Sequence, residues 1–193
     1  RQSGLEAAIL KEAARGTLIF GVCGGYQMLG QSVSDPGGVE AAGVTQIRGM
    51  GLLPMDTVFA GSKTRTRVSG NFGTVEGTLS ELSGVPLEGY EIHMGVTENL
   101  GGCQELVRLE DGRVDALANE DGSVMGSYLH GIFDTDGFAE EMIRRLMKEK
   151  GMEFENWHFD LEAHKEQEYD KLADLVRSSF DMKKICEILE EGI

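Results

Sequence analysis

Thr17-Leu18-Ile19-Phe20-Gly21-Val22-Cys23-Gly24-Gly25-Tyr26-Gln27-Met28-Leu29-Gly30 is the stretch whose reading decides the fold. Its first half is short and nearly all apolar, as a strand covered on both faces by helices would be. Ahead of it, Leu5, Ala8, Ile9 and Ala13 are spaced for one face of a helix over 5–14, and Gly16 suits the stop. Behind it, the spacing predicts a second helix over 26–33, ending before Asp35-Pro36-Gly37-Gly38. Helix, buried strand, tight turn, helix is the grammar of an α/β fold with helices on both faces of a sheet.

The turn itself carries chemistry. A strand that passes straight into a helix holds its central residue in a strained backbone conformation, and flanking glycines remove Cβ clashes. Cys23 is that residue, thrust out at the carboxyl end of the sheet. A helix N-terminus beside its sulfur favours a thiolate. The Gly24 N–H would face an oxyanion formed on an attacked carbonyl. G-x-C-x-G is short, so a buried cysteine beside a helix-packing glycine pair stays open as the alternative.

A nucleophilic thiol needs a base. Of the four histidines, His164 lies in a charged helix four residues before Glu168 and fits a surface pair. His158 follows Trp157 and fits packing. His93 sits in the β-like Tyr90-Glu91-Ile92-His93-Met94-Gly95. His130 ends the run Ser123–Leu129, read as a central strand, and Gly131 leaves room around its ring. Strand ends gather at one edge of an α/β sheet, which makes His130 the best candidate to meet Cys23.

From Val39 to Val114 the chain is rich in glycine. It offers β-like runs at 55–60, 63–68, 74–78, 90–98 and 104–109, expected to be mostly antiparallel. Asp111-Gly112 and Asp121-Gly122 mark tight turns. A helix is expected over about 138–150, then a charged helix over 161–178, then a last helix capped by Asp181. Residues 1–160 are read as one domain and 161–193 as a helical tail packed on it.

Composition narrows the function. Among 193 residues, 18 Lys and Arg stand against 33 Asp and Glu, a net charge of −15, so nucleic acid and anionic membrane surfaces are poor partners. The one basic stretch, Lys63-Thr64-Arg65-Thr66-Arg67, reads as a strand with a solvated charged face. Three scattered cysteines make no disulfide framework or C-x-x-C site and fit a reducing cytoplasm. No apolar run reaches the roughly 18 residues of a membrane span. No phosphate-binding G-x-x-x-x-G-K-[ST] and no clustered metal ligands are visible. The opening Arg1-Gln2-Ser3-Gly4-Leu5 already approaches a helix, as in a piece of a longer polypeptide.

Three segments carry a resemblance. Gly21–Gly30, Gly89-Tyr90-Glu91-Ile92-His93-Met94-Gly95 and Ser127-Tyr128-Leu129-His130-Gly131-Ile132-Phe133-Asp134 resemble the signatures of class I glutamine amidotransferases, in the branch that amidates corrinoids. The tail segment Glu168–Asp174 is similar as well. The resemblance implies a three-layer, flavodoxin-like α/β sheet whose first βα portion precedes Arg1, with part of the oxyanion hole. It implies Cys23 as nucleophile, His130 as base, Gly24 at the oxyanion and Gln27 beside the bound glutamine. Tyr90, Glu91 and His93 would shape the site or face a partner domain.

The resemblance also implies an N-terminal synthetase domain outside this chain, which binds ATP, Mg²⁺ and the corrinoid substrate. No cofactor is expected in this chain. Many class I relatives place a Glu two residues after the histidine; here that residue is Ile132. A Cys-His dyad is therefore expected, or an acid from elsewhere such as Glu91 or Asp134. Another ligase of the same branch and a non-catalytic scaffold are the alternatives.

Overall fold

The computed structural model describes residues 3–40, 43, 45–153 and 160–191. It divides into two units, 1–152 and 153–193.

The first unit opens with α1 (Leu5–Ala13), and Gly16 at φ 79° turns the chain out of it. Next come β1 (Ile19–Val22) and α2 (Gly24–Leu29), as the apolar run and the Gly-Gly turn require. α2 is shorter than expected. Ser32–Ser34 forms a strand, β2, because Val33 pairs with Thr57 on one side and Ile47 of β3 (Gln46–Arg48) on the other.

The runs expected at 55–60 and 63–68 are one long strand, β4 (Met55–Phe72), with an irregularity between Phe59 and Thr64. It lies antiparallel to β5 (Pro86–Asn99) along most of its length. Residues 74–78 do not form the expected strand; Gly77–Leu82 is a short 3-10 helix whose Leu79 and Leu82 enter the core. Then follow β6 (Gln104–Leu109), β7 (Val114–Ala118), β8 (Val124–Ser127), β9 (Leu129–His130) and α3 (Asp136–Glu149).

Among the described residues nine strands join in one mixed sheet, with the path β1-β8-β7-β6-β4-β2-β3 and β5 bridging β4 to β9. β1 runs parallel to β8, and β2 parallel to β4; the other pairings are antiparallel, four of them between strands consecutive in sequence. β1 was expected to be covered on both faces. It has β8 as its one neighbour among the described strands, and Ile19, Phe20 and Val22 are only half-buried.

Side-chain alternation makes two apolar layers. Phe20, Ala116 and Ala118 join Phe138 and Met142 of α3 in one cluster. Ile19 and Leu117 join Tyr26 and Leu29 of α2 in the other. Neighbours in sequence thus point to opposite faces, and helices cover both. The three-layer α/β expectation therefore holds.

The second unit contains α4 (Leu161–Ser179) and α5 (Met182–Glu191). Asp160 Oδ1 accepts the Ala163 N–H at 2.9 Å, and Asp181 Oδ1 accepts the Lys184 N–H at 3.1 Å, each capping its helix. Trp157 and His158 lie outside the described residues.

Candidate active site

Cys23 sits between β1 and α2 at φ 51°, ψ −111°, a positive-φ conformation that residues other than glycine rarely adopt. Its own N–H donates to Ser127 O at 2.9 Å, and its carbonyl accepts the Gln27 N–H at 3.0 Å, pinning both ends of the turn. Strain of this kind persists only where the surroundings over-determine it. The glycines share the task unequally. A Cβ on Gly21 would stand 2.8 Å from Tyr26 N and 2.9 Å from the Gly25 carbonyl carbon, so this position admits no side chain. A Cβ on Gly24 or Gly25 would meet nothing within 4 Å, so their value is the open space above the turn rather than tight packing.

Cys23 is half-buried, and its thiol donates to Ile92 O of β5 at 3.7 Å. His130 reaches the same strand by backbone pairing. β8 carries the chain beside β1, with Val22 paired to Ser127. The chain then crosses at Tyr128 and pairs as β9 with β5, Tyr90 opposite His130 and Glu91 opposite Leu129. The run expected as one strand over 123–129 is thus broken, because its two ends pair with different neighbours. Tyr90 stacks on the His130 ring, centroids 5.3 Å apart and planes 12° apart. His130 Nε2 is buried with no hydrogen-bond partner among the described residues.

Strand alternation separates the three residues of the Tyr90-Glu91-Ile92-His93 segment. Tyr90 shares a face with His130. Glu91 and His93 point the other way, into a cavity of about 410 Å³ also lined by Tyr26, Arg113, Asp115 and Tyr128. Arg113 grips Glu91 with both terminal nitrogens, at 3.0 and 2.7 Å, and His93 Nε2 faces Oε1 at 3.2 Å. His93 Nδ1 lies 2.8 Å from Gly95 O, and its ring stacks on Tyr128 at 3.8 Å.

Burial pushes the Glu91 carboxyl up, but the hydrogen bonds and charges of His93 and Arg113 outweigh it and hold the group at about 2. Glu91 is therefore not the acid behind His130; its oxygens are bound to His93 and Arg113 on the opposite face. Asp134 closes the short 3-10 helix Ile132–Asp134 that follows His130 and Gly131.

Gln27 is one turn beyond Cys23 and buried. Its Nε2 donates to Tyr128 Oη at 3.4 Å, and the Tyr128 and Thr97 hydroxyls are 2.7 Å apart. Gly95 permits this approach, since a Cβ there would lie 2.4 Å from Gln27 Nε2. The basic stretch 63–67 lies on β4 with Lys63, Arg65 and Arg67 exposed, as expected of a solvated face. Among the described residues no three His, Cys, Asp or Glu side chains group to hold a metal ion. No described helix is long and apolar enough to cross a membrane.

The residues that sequence reasoning missed are Arg113, Asp115 and Ser127. Arg113 and Asp115 flank the strand start after the Asp111-Gly112 turn. An acid inside the otherwise apolar Val114–Ala118 is the one signal that pointed to a buried polar role.

The fold and this turn define a class: an α/β protein with a strained cysteine between a parallel strand and a helix. Residues 1–138 match the family described as CobB/CobQ-like glutamine amidotransferase domain, and the chain belongs to that family. It is 50% identical to a cobyric acid synthase of Lachnoclostridium phytofermentans over 205 residues, covering 100% of this chain and 40% of that protein. With a cobyric acid synthase of Ruminiclostridium cellulolyticum it shares 46% identity, covering 100% of this chain and 38% of the relative. The chain thus spans about two-fifths of the length of these curated relatives. A solved structure of PurLQS from Thermotoga maritima shares the fold, with a TM-score of 0.55 at 20% identity over 74% of this chain and 68% of that one.

Proposed function

We propose that this chain is the glutamine-hydrolysing part of a cobyric acid synthase, one that releases ammonia for amidation of corrinoid side-chain carboxylates in cobalamin biosynthesis. The observation that carries the reading is Cys23 at φ 51° with its N–H tied to Ser127, three residues ahead of His130. Its identity to cobyric acid synthases along its whole length supports the substrate class. ATP, Mg²⁺ and the corrinoid would be bound elsewhere in the longer protein.

In this reading His130 Nε2 takes the thiol proton, and the Cys23 sulfur attacks the carboxamide carbon of glutamine. The oxygen that gains charge sits in the open space over Gly24, whose N–H stabilises it. His130 returns the proton to the departing nitrogen, ammonia leaves, and a glutamyl thioester remains. Water activated by His130 cleaves the thioester, giving glutamate and the free thiol. Gln27, Tyr90, Glu91 and His93 shape the walls.

The test is Cys23→Ala in the full-length protein. Glutamine-supported amidation is abolished while amidation with added ammonium survives. Retention of glutamine-supported turnover overturns the assignment of the nucleophile. A protein that hydrolyses no glutamine even with Cys23 intact overturns the enzymatic reading in favour of a scaffold.

A further inference from the structure

The chain has no acid on His130 in the place where Ile132 stands, yet the histidine must be aimed. Its aim is set where β8 gives way to β9. The β7–β8 ladder pairs Ala118 with Met125 and Leu117 with Gly126. The ladder goes no further, and the next residue of β7, Ala116, adopts φ 59°. Tyr128 and Leu129 are left with N–H groups that the β7 backbone no longer meets. The Asp115 carboxylate takes over: Oδ1 accepts the Tyr128 N–H at 3.1 Å, and Oδ2 accepts the Ser127 hydroxyl. Ser127 Oγ in turn accepts the Leu129 N–H at 2.9 Å.

We propose that Asp115 and Ser127 form a buried latch that aims His130 at Cys23, acting through the backbone rather than by touching the imidazole. Ser127 is fully buried and Asp115 is 5% exposed, so water does not compete for these bonds. The latch joins both catalytic arms, since Ser127 O also accepts the Cys23 N–H. One residue thus holds the thiol's turn by its carbonyl and the histidine's strand by its hydroxyl. Burial pushes the Asp115 carboxyl up, while the Ser127 hydroxyl and the backbone N–H groups pull it back. The other titratable groups around it are Glu91, Tyr26 and Tyr128. Both are positioning residues, and the inference rests on the reading of Cys23 and His130 as the catalytic pair.

The test compares Ser127→Ala, Ser127→Thr and His130→Ala in the full-length protein. It reads kcat and KM for glutamine hydrolysis and the pH at which iodoacetamide labels Cys23 at half its maximal rate. Ser127→Ala is expected to lower kcat by about tenfold to a hundredfold with KM changed less than about twofold, as misaimed catalytic groups do. The labelling midpoint moves with it, because the ring that takes the thiol proton is no longer held in place. Ser127→Thr, which keeps the hydroxyl, restores both. On a His130→Ala background Ser127→Ala adds nothing, since there is no ring left to aim.

The latch is overturned if Ser127→Ala keeps both kcat and the labelling midpoint. It is equally overturned if its loss is undiminished without His130, or is not rescued by Thr. If Ser127→Ala does not fold, Asp115→Asn, of the same shape, carries the same comparison. His130→Ala that hydrolyses glutamine normally overturns the catalytic pair itself, a result distinct from failure of the latch.

Discussion

Glu91 is 2% exposed yet keeps its charge, because both nitrogens of an arginine fork and the His93 ring meet its oxygens. Its folded-state value of about 2 lies below the ordinary 4.5. A carboxylate depressed on folding contributes stability that is complete above its unfolded value and is lost as pH falls toward its folded one. The window here runs from about 4.5 down to about 2. Glu91→Gln is expected to lower stability at neutral pH and to flatten its decline across that window. Urea denaturation at a series of pH values measures it; a mutant whose stability falls with acid as steeply as the parent's contradicts the account. Arg113, which makes this charge tolerable, also binds Asp111 with its Nε at 2.8 Å, so one guanidinium ties the hairpin turn to the interior.

The β1–α2 element makes a contrast that a generic glycine rule does not foresee. Gly21→Ala forces backbone apart, at a cost of about 1–3 kcal/mol as for other overpacked sites. Gly24→Ala and Gly25→Ala place a methyl in open space on a helix, where Ala is better than Gly by about 1 kcal/mol, so their thermal midpoints rise or hold. A common sign for all three would contradict the geometry. Elements bounded by local signals were legible in sequence: β6 over 104–109, α4 after Asp160, and the turn at Cys23. Elements decided by distant partners were not. β2 read as the end of a helix because the partners of Val33, Ile47 and Thr57, lie outside any local window. The break at Tyr128 was hidden for the same reason, and with it the role of Asp115. The strained turn at Cys23 was legible because glycines stand on both sides of it.

Across the whole molecule, 33 acidic side chains face 18 basic ones. Many of the ion pairs are local helical ones, such as Arg144 with Glu140 and Arg145 with Glu149, and leave most of the excess negative charge unneutralised. The apolar clusters on the two faces of the sheet must therefore hold the fold against its own repulsion. That repulsion acts over a screening length of about 30 Å at 0.01 M salt and about 8 Å at 0.15 M. Glu91, buried at its end of the Glu91–Arg113 contact, is shielded from salt more than the exposed carboxylates are. Adding sodium chloride across this range is therefore expected to raise the thermal midpoint by a few degrees, since about 1 kcal/mol moves a chain of this size by roughly 2–4 °C. Scanning calorimetry at fixed pH 7 measures it. A midpoint that falls as salt is added would mean that attractive pairs, not net repulsion, dominate the electrostatics, and that the exposed acids are far better neutralised than their numbers imply.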